Sequence, residues 1–172
     1  MVSVVDEQEM LLRFADTRVL SYLPQVLSSY QWGAICGTVS KWAYFDRSGE
    51  LGTYDVSDLN GCEEKIAITK AQLEELLDAS HPDATMALIA ESMSDIVPTD
   101  RPVSERYRMI KDSHELAKKH EVNDSADILA LAVAAYLTKG GSNVDKRLEW
   151  LLQEHAWPAG SLGDAIVDAK IV

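Results

Sequence analysis

The sequence predicts an α+β fold, in which a small N-terminal antiparallel β/α region is followed by a C-terminal α-helical bundle. Three observations predict it. Up to residue 68 the apolar residues come in short runs rich in β-branched and aromatic types, separated by turn signals. Beyond that point they recur at steps of three and four, the period of a helix with one buried face. Residues 128–137, Ile-Leu-Ala-Leu-Ala-Val-Ala-Ala-Tyr-Leu, are apolar nearly all round and so mark a helix enclosed by neighbours. The expected organisation is one compact two-lobed unit, with a β-rich mixed lobe over residues 1–68 and a helical lobe over 69–172.

At the N-terminus, residues 2–5 and 9–14 flank the polar turn Asp6-Glu7-Gln8 and read as a hairpin. Asp16 stands where a helix N-cap belongs, ahead of a stripe of Val19, Leu20, Leu23, Val26 and Leu27 that kinks or restarts at Pro24. A second hairpin is expected from residues 39–45 and 51–56, joined by the turn Asp46-Arg47-Ser48-Gly49. A loop over 57–64 containing Asn60-Gly61 leads to the short apolar run 66–68.

Thr69 and Gln72 have the spacing of a capping box for a helix carrying Leu73, Leu76 and Leu77. Ser80-His81-Pro82-Asp83 signals a new helix start, after which Met86, Ile89, Ala90, Met93, Ile96 and Val97 share a face until Pro98. The next helix follows Pro102 and clusters Val103, Tyr107, Ile110, His114 and Ala117. Further helices follow Asn123, running over 124–139, and Asn143, with Gly140-Gly141 between them; Ser161 caps a last one ending at Asp168.

The 172 residues are 47% hydrophobic and 26% charged, ordinary for a globular chain that buries roughly 70% of the surface exposed on unfolding. The longest apolar stretch is about half the roughly 20 residues a membrane-spanning helix needs. Met1-Val2-Ser3-Val4-Val5-Asp6 lacks the basic flank and apolar length of a signal peptide, so a cytoplasmic location is expected. A net charge of -12 repels phosphate backbones and anionic lipid, which argues against nucleic acid and membrane partners. It keeps the protein soluble and could also steer a basic partner. Cys36 and Cys62 lie outside any CxxC and are read as reduced thiols, with no metal and no cofactor implied.

Catalytic patterns fail on geometry, and no enzyme is expected. His114 and His120 lie six apart and point about 120° from each other on a helix, unlike a zinc-binding pair four apart. His114 shares an apolar face, His81 sits in a helix-start turn, and His155 extends the stripe Val144, Leu148, Leu151 and Leu152; all three read as structural. Ala159-Gly160-Ser161-Leu162-Gly163 lacks the glycine two before the serine that a nucleophile elbow needs. Lys139-Gly140-Gly141-Ser142 has phosphate-loop residue types in the wrong order and reads as a helix-ending turn. Glu63-Glu64 and Glu74-Glu75 are adjacent in sequence and diverge.

Trp150 resists a bland reading, because it projects about 145° from the centre of its helix's apolar stripe. Two accounts remain: a protein-contact anchor, or packing beneath the C-terminal tail near Trp157. Met109 and Leu116 likewise occupy a different face from Tyr107, Ile110 and His114. That second face is either filled internally or open as a partner-binding groove.

The segment Leu11-Leu12-Arg13-Phe14-Ala15-Asp16-Thr17-Arg18-Val19-Leu20 resembles the "LRF-aromatic-DPRVL" signature of the type VI secretion effector-chaperone family, the VasW-like adaptors. Arg13, Phe14, Asp16 and Arg18 match it and suit a structural role, a strand end followed by a capped helix whose carboxylate the arginines can pair. Val39-Ser40-Lys41-Trp42, then Asp46, Gly49, Thr69, Gln72 and Leu73, continue in the family's order, and the end from Glu115-Leu116-Ala117 through Asp127 to Gly140 is similar to its C-terminal lobe. Ala15 and Thr17 stand where the family has an aromatic residue and proline, and the family's N-terminal α/β region does not precede the signature here. If that region completes the sheet, the edges at 2–5 and 9–14 are left to pair elsewhere.

The resemblance implies an adaptor that binds a secreted effector and helps load it onto the spike protein of the type VI apparatus, with Trp150, Met109 and Leu116 as expected contributors to effector contact. Two rival readings stand beside it: an immunity-type inhibitor whose acidity suits a basic toxin, and a small hydrolase built on His120 with Asp124.

Overall fold

Short apolar runs bounded by turns become strands in the computed structural model, which describes the backbone of residues 2–4, 8–10 and 17–18, and backbone and side chains of 19–37, 39–47, 49–56 and 66–172. The expected loop over 57–64 and the signature residues Arg13, Phe14 and Asp16 lie outside the described residues, as does the side chain of Arg18. The fold is α+β. Two compact units divide at Met1–His81 and Pro82–Val172, so the boundary expected after residue 68 falls inside the first unit.

In the first unit β1 (Val2–Val4) and β2 (Gln8–Met10) pair antiparallel, Val2 opposite Met10, as the hairpin reading expects. The run at 66–68 forms β5 (Ile66–Ile68) and pairs parallel with β1, giving the order β2-β1-β5. β1 is therefore paired on both sides from within the chain.

The stripe after residue 16 breaks into α1 (Thr17–Leu20) and α2 (Leu23–Val26). Pro24 sits in the first turn of α2, where its missing N–H has no helical partner to lose. A helix outside the expectations above, α3 (Ser29–Cys36), begins at a capping box: the Gln31 N–H donates to Ser28 Oγ at 3.2 Å, and the Ser28 N–H to Gln31 Oε1 at 2.8 Å.

β3 (Lys41–Phe45) and β4 (Leu51–Asp55) form the second expected hairpin, in register from Lys41 opposite Asp55 to Phe45 opposite Leu51. Asp46 shapes the turn, accepting the Gly49 N–H on its carbonyl and the Glu50 N–H on its carboxylate, each at 3.0 Å. Alternation turns Trp42, Tyr44 and Tyr54 inward, where they join Leu20, Leu23, Leu27, Trp32, Cys36, Val56 and Ile68 in the unit's core. Tyr44 lies over its cross-strand partner Gly52, with ring carbon Cζ 2.6 Å from where a Cβ would stand. The ring cannot easily yield, because it stacks on Tyr54 at 5.6 Å and donates its hydroxyl to the Tyr54 hydroxyl at 3.1 Å. Gly52→Val is therefore expected to destabilise by about 1–3 kcal/mol in urea unfolding; a loss within 0.5 kcal/mol, on the order of a surface change, would show the ring moves freely.

The long helix α4 (Lys70–Ser92) opens on the expected capping box, with the Gln72 N–H to Thr69 Oγ1 at 3.2 Å and the Thr69 N–H to Gln72 Oε1 at 3.0 Å. Its Gln72 amide also donates to the Val26 carbonyl at 2.9 Å and pairs reciprocally with Gln31, so the caps of α3 and α4 are tied to each other. Gln72→Ala removes every bond made by the side-chain amide and leaves only the backbone N–H to Thr69; thermal and urea unfolding should both register a loss of about 1–2 kcal/mol. Leu73 and Leu76 pack on the core as expected, whereas Leu77 is exposed.

No new helix starts at Ser80-His81-Pro82-Asp83: α4 runs through it, with Pro82 inside and His81 mid-helix. A proline here removes one donor, at roughly 3 kcal/mol, from the carbonyl of exposed Asp78, which water can satisfy. The Ser80 hydroxyl bonds the neighbouring Leu77 carbonyl at 2.7 Å. Apolar residues on both sides of the proline, Leu73 and Leu76 before it and Met86 and Ile89 after it, hold the helix in place.

The second unit packs the remainder of α4 with α5 (Val103–Lys119), α6 (Ser125–Leu137), α7 (Lys146–Glu154) and α8 (Leu162–Asp168). Met86 and Ile89 face the core from α4 as expected, but the helix ends at Ser92 rather than at Pro98: Met93, Ile96 and Val97 reach the same cluster from a 3-10 turn over Ser94–Ile96, and Ala90 is exposed, as is Val103 at the start of α5. α6 is central, contributing Leu131 and Ala134 to one core cluster and Ala132, Ala135 and Tyr136 to another. Asp124 caps α6 through the N–H groups of Ala126 and Asp127, where Asn123 marked the expected start. Gly140, at φ 87°, ends the turn after α6, and its N–H reaches back to the Ala135 carbonyl at 2.6 Å. The cap of α7 is Asp145 rather than Asn143, which instead sits in a 3-10 turn and donates to the Met109 carbonyl at 2.9 Å.

Candidate partner-binding surface

Steps of 100° along α7 put Leu148, Leu151 and Leu152 on one side, all buried, and Trp150 on the other. Trp150 is 62% exposed, as its angle predicts. The expected stripe is shorter than its sequence suggested. Val144 precedes the cap and is 84% exposed, while His155 leaves the helix at φ 47°, exposed.

Exposed polar contacts surround α7. Lys119 at the end of α5 reaches Glu149 at 3.0 Å and holds that carboxyl below its usual range. The Arg147 guanidinium grips Asp145 and donates to the Lys170 carbonyl at 2.7 Å, so the start of α7 is fastened to the chain beyond α8.

Packing of Trp150 beneath the C-terminal tail, the other account, is not what the structure shows; Trp157 itself is half-buried against the core of the second unit. Its ring stacks on His155 at 5.1 Å, and its indole N–H donates to Asp127 at 3.0 Å. Asp127 is only 3% exposed and also accepts the N–H groups of Gly160 at 3.0 Å and Leu162 at 2.8 Å. The first turn of α8 is thus capped from α6, while Ser161, the expected cap, turns its hydroxyl to the Pro158 carbonyl at 2.7 Å. Burial alone pushes the Asp127 carboxyl up, but these three donors outweigh it and hold it below the usual aspartate range.

Met109 and Leu116 do not join Trp150 on a surface. Met109, 9% exposed, packs with Ile89, Ile110 and Ala132, and Leu116 packs half-buried against the cluster of Leu131, Leu148 and Leu152. The second face of α5 is filled internally, because that helix lies between two core clusters. One further exposed apolar pair escaped the sequence reading: Phe45 and Leu51, cross-strand neighbours on the outer face of the β3–β4 hairpin. The signal was present, since period two turns Phe45 outward once Trp42 and Tyr44 turn inward.

The candidate catalytic groups stay apart. His114, half-buried rather than in the core, bonds the Thr85 hydroxyl at 2.9 Å. No hydrogen bond or ion pair joins His120 to Asp124; the His120 ring nitrogen Nε2 is buried without a partner, and Asp124 is engaged as a cap. Cys36 is buried and its thiol is pushed up by burial, against the pull of a Trp42 hydrogen bond. Trp42 itself is half-buried against the core. Among the described residues, no three of His, Cys, Asp and Glu gather as a metal site, and no helix is long and apolar enough to cross a membrane. A cavity opens beside Gln31 and Gln72, lined also by Ser28, Tyr30, Ile66 and Ala67.

No protein-family model, curated protein or solved structure matches this chain.

Proposed function

We propose that the chain is a non-catalytic cytoplasmic adaptor that binds a secreted type VI effector and assists its loading onto the spike protein. The partner's identity rests on the segment from Leu11 to Leu20, with its resemblance to the effector-chaperone signature. The observation that carries a binding role is Trp150: a large aromatic left in water on a helix whose opposite face is fully buried, as hot-spot anchors are before docking. With Met109 and Leu116 inside, the contact surface is the outer face of α7.

The test is affinity capture of the full chain from the cell that produces it, with the bound proteins identified. Wild type is expected to retain both an effector and a spike protein. Trp150→Ala should weaken effector binding by about 2 kcal/mol or more, roughly thirtyfold, with the urea midpoint unchanged. Capture of neither protein would overturn the adaptor reading, and unchanged effector affinity in Trp150→Ala would remove α7 from the contact. Capture of a toxin alone, with its activity blocked, would favour an immunity-type inhibitor instead.

A further inference from the structure

We draw no further inference here: the strongest candidate, the cavity of about 430 Å³ beside the N-termini of α3 and α4, is lined by side-chain amides that already satisfy one another, and no buried polar group in it lacks a partner or otherwise points to a ligand.

Discussion

Asp127→Ala is expected to lower the unfolding free energy by about 3–5 kcal/mol, a large share of the roughly 5–15 kcal/mol that holds a domain together. The substitution strips one acceptor from three donors at once: the buried Leu162 N–H, the Gly160 N–H and the Trp157 indole. Each donor left unpaired away from water costs about 1–3 kcal/mol, and the two at the rim can recover part of that from solvent. Asp127→Asn keeps one acceptor oxygen and should lose about half as much.

The pH dependence follows from the direction of the Asp127 shift. Its folded value is depressed, so the stabilisation is fully present above the unfolded aspartate value of about 3.9 and is lost as pH falls through the folded value. Urea unfolding at neutral pH and in steps down into the acid range should show wild type losing stability more steeply than Asp127→Asn. Equal acid slopes, or a loss below about 1 kcal/mol for the alanine variant, would mean the carboxylate is not the fastening of α8.

This residue also shows how much the sequence disclosed. A single acid one turn into an otherwise apolar helix must be paired or neutral when buried, so a bonded Asp127 was legible in residues 125–137. Its partners were not, because Trp157, Gly160 and Leu162 lie 30 or more residues away and follow no local period. Hairpins, the Thr69 cap, the central α6 and the outward Trp150 all follow from short-range rules, and each appears in the structure.

The misses are places where tertiary packing overrides a local signal. Pro82 reads as a boundary, yet apolar contacts before and after it keep α4 whole. The second face of α5 admitted two readings, internal filling or an open groove, and the structure fills it; periodicity reports burial pressure and not which neighbour supplies it. Residues 29–36 show no clean apolar stripe, with Tyr30 exposed and Trp32, Gly33 and Cys36 buried, so only the Ser28 to Gln31 spacing could have announced α3.

That helix carries the second large effect. Trp32→Ala is expected to destabilise the protein by about 3–5 kcal/mol, the range for removing a buried aromatic and leaving its space behind. Trp32 is 5% exposed, meets Tyr54 edge-on at 6.0 Å between ring centres and lies 6.3 Å from Trp42. The surroundings cannot close around the gap, because the Tyr54 hydroxyl is held by the Ser21 carbonyl at 3.0 Å and Tyr44 is stacked behind it. Trp32→Phe, which keeps an aromatic ring in the site, should lose only about 1–2 kcal/mol. A urea midpoint that falls in this order, with the slope unchanged and the near-ultraviolet aromatic signal reduced, would place Trp32 at the centre of the first unit's core. If alanine and phenylalanine cost the same, the loss comes from the indole N–H or the backbone and not from the volume that α3 delivers to the hairpin.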